Sequence, residues 1–225
     1  MTNLSATDVQ NNVINREGES HTGHSVHSSS KSQEIWLIRH GETEWTLSGA
    51  HTGKTDIPLT DAGRSRAKAV GGFLTGRRFG MVLSSPLKRA LDTCRLAGYG
   101  DVVETDPMLC EWDYGDYEGR TTLDIRKTRP GWFLWTAGVP NGESLEEVGT
   151  RADRVIERAN SISQSSTSTV ALFAHGHILR ILAARWLGLP ADAGRLLSLG
   201  TGTVSVLGYE RDVRVITRWN VDPVA

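Results

Sequence analysis

The sequence predicts an α/β fold, a three-layer α/β/α sandwich with a largely parallel sheet. Short apolar runs, long enough for buried strands and too short for helices, recur along the chain. Longer segments with a helical spacing of apolar residues separate most of these runs. Because strands and helices alternate in this way, consecutive strands are expected to run parallel and to be connected through helices.

The first half of the predicted domain holds three strands and two helices. The strands are "EIWLIRH", "MVLS" and "DVVET", and a polar loop from Gly41 to Pro58 follows the first of them. The first helix, "TDAGRSRAKAVGGFL", has Thr60 as its N-cap, and its apolar face consists of Ala62, Ala69, Val70 and Phe73. The second helix, "PLKRALDTCRLAG", has Pro86 in its first turn and ends at Gly98.

The second half opens with a long irregular stretch from Pro107 to Glu143, which carries six aromatic side chains. A helix then begins at Ser144, whose spacing to Glu147 matches a capping box. The strand "VALFAH" leads into a helix, "ILRILAARWLG", that is closed by Gly188 and Pro190. The last two strands are "TVSVLGY" and "RVITRW".

Residues 1–33 differ from the rest in composition. They are rich in Ser, Asn, Thr, Gly and His and carry almost no large apolar side chains, so they are predicted to form a disordered tail. The domain that holds the predicted strands and helices is assigned to 34–225. Three tail histidines at every third position offer a weak metal-binding pattern, but a solvated tail is favoured: His21, His24 and His27.

The overall composition limits the classes of partner. With a net charge of −1 the chain has no general basic surface, so neither nucleic acid nor membrane is an expected partner. Cys94 and Cys110 are too few for a disulfide framework, and free thiols are favoured over a single bridge. No secretory signal and no run of 18 apolar residues are present, so the cytoplasm is the expected compartment. Whether the chain forms a homo-oligomer is left open.

Two predicted strands end in a histidine followed by glycine. His40 follows "IWLIR" and His175 follows "VALFA". In open α/β sheets ligands bind at the carboxyl ends of the strands, where Arg39 and Arg89 are also expected. Arginine matches phosphate oxygens with a bidentate fork, and a neutral imidazole nitrogen is a competent nucleophile. These residue types therefore point to phosphoryl transfer.

A leaving alkoxide would also need a proton donor. Glu111, in "LCEWDYGDYEG", is the candidate acid, and nearby rivals are Asp113, Asp116 and Glu118. No cofactor is expected. His175 and His177 have the spacing of a metal pair, but no other cluster of matching spacing accompanies them, so no metal is predicted. His177 is interpreted as a residue at the start of the helix or behind the site.

Four blocks in this order resemble the signature of the histidine phosphatase superfamily, the phosphoglycerate-mutase-like group. They are Arg39-His40-Gly41 with "ETEW", then "SSPLKRALDT", "CEWDYGDYEG" and "AHGH". The resemblance covers about residues 35–202. Further strings, "TEWTLSGAHTGKTDIPLT" and "FAHGHILR" among them, resemble sugar-phosphate phosphatases of the sedoheptulose-1,7-bisphosphatase type.

The resemblance implies a role for each residue of the site. His40 would be the phosphorylated nucleophile and Glu111 the proton donor. The phosphoryl group would be bound by Arg39, Arg89 and His175. Further substrate contacts are expected from Thr46, Thr52, Gly53, Tyr114 and Gly176. Thr46 departs from the family pattern, since mutases commonly have Asn at this position.

The resemblance also favours a phosphatase over a mutase. Mutases carry a basic residue after the acid and further Lys and paired Arg for a carboxylate, whereas this chain has Trp112 after the acid and Thr122 at the Lys position. The predicted reaction is metal-independent hydrolysis of a sugar phosphate or bisphosphate, such as sedoheptulose 1,7-bisphosphate. A second phosphate could be bound by one of five loop cations: Lys54, Arg120, Arg126, Lys127 and Arg129.

Two other classes of protein were weighed. A P-loop nucleotide binder is disfavoured because Ser48 stands where "GAHTGKT" would need its first glycine. A catalytically silent binding module is disfavoured because the residues of the predicted site are all present.

Overall fold

The computed structural model describes residues 33–162 and 169–224. The prediction of a disordered tail concerns residues outside these ranges, except for Gln33. Gln33 is buried, and its side-chain amide donates to the Ala159 carbonyl oxygen at 2.5 Å, so it packs with the residues that follow it. No helix in the described part of the chain has the length and apolar character needed to cross a bilayer.

Six strands form one sheet in the order β3-β2-β4-β1-β5-β6. Their bounds are Glu34–Arg39 (β1), Met81–Ser84 (β2), Val103–Thr105 (β3), Thr169–Ala174 (β4), Val204–Glu210 (β5) and Val213–Val221 (β6). The pairings β3-β2, β2-β4 and β4-β1 are parallel, and β5 is antiparallel to both of its neighbours. The predicted sheet, largely parallel, is confirmed.

Helices cover both faces of this sheet. Their bounds are Glu44–Ser48 (α1), Asp61–Phe73 (α2), Lys88–Cys94 (α3), Thr122–Thr128 (α4), Leu134–Ala137 (α5), Leu145–Asn160 (α6) and Gly176–Trp186 (α7). Strand β1 alternates between the two layers: Trp36 and Ile38 pack with α2 and α3, whereas Ile35 and Leu37 pack with α6 and α7. Because side chains alternate across a strand, a continuous apolar run is buried on both faces.

Several predicted boundaries were wrong. The loop from Gly41 to Pro58 contains α1, and the stretch predicted as irregular contains α4 and α5. These helices have four to seven residues, so they are too short to show a helical period in the sequence. Pro86 precedes α3, which has Leu87 as its N-cap, whereas Gly98 lies at φ +91°, a conformation that favours glycine and ends this helical region.

The caps of α2 and α6 are as predicted. Thr60 accepts a hydrogen bond from the Gly63 amide, and Ser144 forms the capping box with Glu147. The predicted apolar face of α2 was partly wrong, because Ala62 is exposed. The buried side of the helix is rotated instead toward Gly63, Ala67 and Val70. A close backbone contact at Gly63 accounts for this rotation, since a Cβ there would collide with the Glu42 carbonyl oxygen.

Candidate active site

The ends of two adjacent parallel strands bring the predicted histidines together. Arg39 of β1 is in register with Ala174 of β4, so the next residue of each strand reaches the same rim of the sheet. The rings of His40 and His175 lie 5.1 Å apart, centroid to centroid, and both are buried. The sequence-based expectation that these residues share one sheet edge is thus what the structure shows.

The His40 ring is held in one orientation by its own loop. Nδ1 lies 2.7 Å from the Gly41 carbonyl oxygen, which can only accept, so Nδ1 carries the proton and donates. Burial, followed by the charges of Arg39 and Arg89, lowers the pKa of His40 well below 6.5. The imidazole is therefore neutral near pH 7, with an unprotonated Nε2.

The loop after β1 lies directly against helix α2. A Cβ on Gly41 would collide with the Gly63 carbonyl oxygen, and a Cβ on Gly63 would collide with the Glu42 carbonyl oxygen. In addition, the Gly41 amide donates to the Thr93 hydroxyl at 3.1 Å. Only two residues without side chains permit this contact between backbones, which fixes the position of the His40 loop.

Arg39 provides cationic donors beside His40. Its guanidinium Nη1 donates to the Leu199 carbonyl oxygen, and Nε is buried without a hydrogen-bond partner in the described structure. The first residue of α7, Gly176, lies against the guanidinium, since a Cβ there would be 3.3 Å from Cζ. Gly176 thus leaves space for Arg39 and has no side chain that could contact a substrate.

Arg89 is fully buried, and its donors are directed at protein groups. Nε donates to His175 Nδ1 at 3.0 Å. Nη1 donates to the Thr55 carbonyl oxygen, and Nη2 donates to those of Thr52 and Gly53. Because three loop carbonyls and one imidazole already accept from it, Arg89 fixes the loop after α1 and orients His175.

His175 is oriented from both ring nitrogens. Since Nδ1 accepts from Arg89, the proton is on Nε2, which lies 2.8 Å from the Ser85 hydroxyl oxygen. Burial and then the neighbouring charge of Arg89 lower the pKa of His175 well below 6.5. Ser85, at the end of β2, was not predicted, although the serine pair in "SSPLKRA" marks its position.

Glu111 lies at the N-terminus of α7. Its carboxylate accepts hydrogen bonds from the amides of Trp112, His177 and Ile178 at 2.9–3.0 Å. Burial raises the pKa of Glu111, but the His177 side chain and these backbone donors outweigh it, so the pKa lies well below 4.5. A carboxylate at a helix N-terminus is also favoured by the helix dipole. Glu111 is thus ionised at neutral pH.

These side chains surround a cavity of about 190 Å³. It is lined by Arg39, His40, Trp45, Thr46, Gly49, Ala50, His51, Thr52, Glu111, Tyr114 and His177. Thr46 is engaged in the capping box of α1, where its hydroxyl accepts from the Thr43 amide and donates to the Thr43 carbonyl oxygen. Thr52 donates to the Ala50 carbonyl oxygen. Four of the predicted residues lie behind this lining: Gly53, Arg89, His175 and Gly176.

Three residues near the cavity were missed or left without a role. His51 lies 4.9 Å from the Tyr114 ring, and burial lowers its pKa to about 4. Glu118, predicted as a rival acid, accepts from the amides of Gly53 and Thr55 and so supports their loop. His177 is at the start of α7, as interpreted, but it also contacts Glu111 and Tyr114. These contacts join segments that are distant along the chain, so no local sequence pattern indicated them.

The metal-ligating side chains that the structure describes form no metal site. Within residues 33–162 and 169–224 no group of three or more His, Cys, Asp or Glu side chains could bind a metal ion. The tail histidines lie outside these ranges.

Most of the chain matches one known family. A profile of the histidine phosphatase superfamily (branch 1) covers residues 35–222. The chain belongs to the histidine phosphatase superfamily. The predicted family, α/β fold and enzyme class, a phosphatase, are thereby confirmed.

Individual members of the superfamily resemble the chain over most of its length. An acid phosphatase of Mycobacterium tuberculosis is 40% identical over 186 residues, which cover 82% of this chain and 90% of that protein. A sedoheptulose 1,7-bisphosphatase of Saccharomyces cerevisiae is 37% identical over 183 residues, covering 68% and 67%. A crystal structure of a Mycobacterium tuberculosis open reading frame product has a TM-score of 0.79 at 38% identity, covering 85% and 98%.

Proposed function

We propose that this histidine phosphatase hydrolyses phosphomonoesters through a phosphohistidine formed on His40 Nε2. The observation that carries the proposal is the 2.7 Å hydrogen bond from His40 Nδ1 to the Gly41 carbonyl oxygen. It leaves the other ring nitrogen unprotonated beside Arg39 and Glu111 in one cavity. A neutral imidazole with a fixed tautomer is the form that attacks phosphorus.

Hydrolysis would take place in two steps. In the first, His40 Nε2 forms a bond to phosphorus, the bond to the leaving oxygen breaks, and Glu111 protonates that oxygen. In the second, water loses a proton to Glu111 and attacks the phosphohistidine, which releases phosphate and restores the Nε2 lone pair. Arg39, with a buried Nε that has no described protein partner, is placed to donate to the phosphoryl oxygens.

Arg89 and His175 would act from behind the cavity lining. A phosphoryl group bound at His40 would lie close enough to interact electrostatically with both side chains, because the His40 and His175 rings are 5.1 Å apart. Fixed charges and dipoles close to a developing negative charge need no reorganisation during the reaction. The hydrogen bonds of Arg89 to loop carbonyls and of His175 to Ser85 hold the two side chains in place.

The substrate is proposed to be a sugar phosphate or a sugar bisphosphate, such as sedoheptulose 1,7-bisphosphate. The likeness to the yeast bisphosphatase supports this class. Thr122 stands where mutases have a lysine, and because threonine is uncharged this position supplies no cation for a carboxylate. Its hydroxyl contacts His51 Nε2 at 3.3 Å. Among the loop cations, Lys54 is the closest in sequence to a residue that lines the cavity. Its ammonium pairs with Asp113, which directly precedes the lining residue Tyr114.

The proposal is tested by His40→Ala against Lys68→Ala, an exposed substitution on α2. Phosphate release from a panel of sugar phosphates, sugar bisphosphates and phosphoglycerates should fall by at least about 10³-fold for His40→Ala and stay unchanged for Lys68→Ala. An acid-labile ³²P label should form on the wild type alone. Retention of turnover by folded His40→Ala would disprove the nucleophile. Conversion between phosphoglycerates without phosphate release would instead identify a mutase.

A further inference from the structure

The hydrogen bonds of Glu111 pose a chemical problem for its proposed role as the acid. Its carboxylate accepts three backbone amides, and these donors favour the ionised form. A backbone amide cannot release its proton to a carboxylate. The Glu111 side chain is only 6% exposed, so a more exposed titratable neighbour offers a path for protons between this carboxylate and the solvent.

His177 is the group in that position. Its Nδ1 lies 3.7 Å from Glu111 Oε2, and its side chain is 21% exposed, more than that of Glu111. The ring is fixed between aromatic neighbours, with centroids 5.3 Å from Trp135, 5.8 Å from Tyr114 and 6.1 Å from Trp112. An ordered imidazole thus stands between the buried carboxylate and the solvent.

We propose that His177 is a positioning residue that delivers the catalytic proton to Glu111 and takes it back after hydrolysis. This inference rests on the proposed function, because it assumes Glu111 as the acid. Imidazole is suited to this task because its ring can accept a proton and release one. In the first step the His177 ring takes a proton from solvent and Nδ1 passes a proton to Oε2, and Glu111 then passes it to the leaving oxygen. In the second step the proton taken from water returns by the same route.

The Tyr114 hydroxyl can form a hydrogen bond with His177 Nδ1 whether or not Nδ1 carries a proton. Its oxygen lies 2.6 Å from His177 Nδ1. Burial and then the charge of Glu111 raise the pKa of Tyr114 well above 10, so the phenol keeps its own proton. When Nδ1 is unprotonated the hydroxyl donates to it, and when Nδ1 is protonated the hydroxyl oxygen accepts. Nδ1 and the Tyr114 hydroxyl thus stay hydrogen-bonded to each other in either state.

The charges around His177 favour transfer toward Glu111. The facing groups are Glu111 and Tyr114 from the loop after β3, His51 from the loop after α1, and Arg180 one turn later in α7. Arg180 is separated from the ring by Trp135, over which it stacks at 4.8 Å. A phosphate dianion bound at His40 adds negative charge beside Glu111, and like charge raises the proton affinity of a carboxylate. Substrate binding would therefore draw the proton from His177 to Glu111.

His177→Asn separates the relay from a structural role. The Asn amide nitrogen can occupy the position of Nδ1 and donate to the Tyr114 hydroxyl oxygen, and the backbone amide still donates to Glu111, but an amide does not titrate. With the sugar phosphate that the wild type hydrolyses best, kcat should fall by about 10- to 100-fold, the range of general acid catalysis. With 2,4-dinitrophenyl phosphate, whose leaving group needs no proton, kcat should change by less than about threefold. Added imidazole should restore turnover of the sugar phosphate.

A second experiment keeps the relay testable if the single variant His177→Asn folds poorly. In a Glu111→Gln background, His177→Asn should cause no further loss with the sugar phosphate, because the relay acts only through Glu111. Equal losses on both substrates, no rescue by imidazole, or additive effects with Glu111→Gln would overturn the relay. The nucleophile is tested separately by His40→Ala. If the relay fails while His40→Ala is inactive, the proposed hydrolysis stands without it.

Discussion

Arg89 and His175 are joined by a hydrogen bond in which the guanidinium Nε donates to the imidazole Nδ1 at 3.0 Å. The bond places the imidazole proton on Nε2, which faces Ser85 at 2.8 Å. The remaining Arg89 bonds hold the carbonyls of Thr52, Gly53 and Thr55. One buried side chain thus links helix α3, the loop after α1 and the histidine at the end of β4.

Arg89→Lys should disrupt all of these contacts, because an ammonium has no planar fork to reach an imidazole and three carbonyls together. We expect kcat/KM to fall by about 100-fold, with a loss of roughly 2–4 kcal/mol in the free energy of unfolding from unpaired buried groups. Urea denaturation and phosphate release would measure both. Arg95→Lys is the matched control: this exposed side chain pairs with Asp92 at 3.5 Å, so little change is expected. Equal effects of the two substitutions would contradict the assignment.

Two glycines of α2 should respond oppositely to alanine. A Cβ at Gly63 would collide with the Glu42 carbonyl oxygen, whereas one at Gly72 meets no atom within 4 Å. Gly63→Ala should therefore cost about 1–3 kcal/mol of unfolding free energy and displace the His40 loop, lowering kcat/KM by about tenfold or more. Gly72→Ala should stabilise the helix by about 0.5–1 kcal/mol and leave turnover unchanged. Thermal unfolding and initial rates on the same preparations decide this, and a stabilised, active Gly63→Ala would refute the contact.

The buried histidines should make stability fall as the pH is lowered from about 7.5, until the pH reaches their lowered folded-state pKa values. The pKa values of His40 and His175 are both lowered well below 6.5, so these rings stay neutral in the folded chain. Below pH 6.5 the unfolded chain binds protons that the folded chain does not, so stability is present above this pH and is lost as the pH falls. The slope should be roughly 1.4 kcal/mol per pH unit for each ring. His51, with its pKa lowered to about 4, should add to it.

Urea midpoints at several pH values would show this slope. In His40→Asn it should decrease by the contribution of one histidine, since one proton fewer is taken up on unfolding. A flat profile across pH 6.5 would mean that these imidazoles take up protons as readily in the folded chain as in the unfolded chain.

Chelation should leave activity unchanged. The proposed charge stabilisation comes from the guanidinium groups of Arg39 and Arg89, and the described residues offer no group of three metal-ligating side chains that could bind a metal ion. Phosphate release would be compared with and without EDTA after dialysis. Strong inhibition that a divalent ion reverses would show that the mechanism needs a metal, and would direct attention to the N-terminal histidines.

The strands and the nucleophile segment were readable from the sequence because their signals are local. A run such as "IWLIRHG" combines continuous burial with a chemical side chain at the strand end and a glycine that permits a turn. His40 and His175 could therefore be placed at one rim from periodicity alone. Helices α1, α4 and α5 could not be predicted, since their few residues complete no amphipathic repeat.

The division of work within the site was decided by tertiary structure. The sequence determined which residue types stand at the strand ends, and so the family and the phosphoryl chemistry. It did not determine that Thr46 spends its hydroxyl on a helix cap, that Arg89 is directed at carbonyls, or that His177 contacts Glu111. The contacts of Arg89 and His177 join segments separated by 34 to 66 residues, whereas the Thr46 cap forms within a helix too short to be recognised from its sequence. Only the folded backbone brings such partners to within 3 Å, and each donor can then satisfy only the acceptors that it reaches.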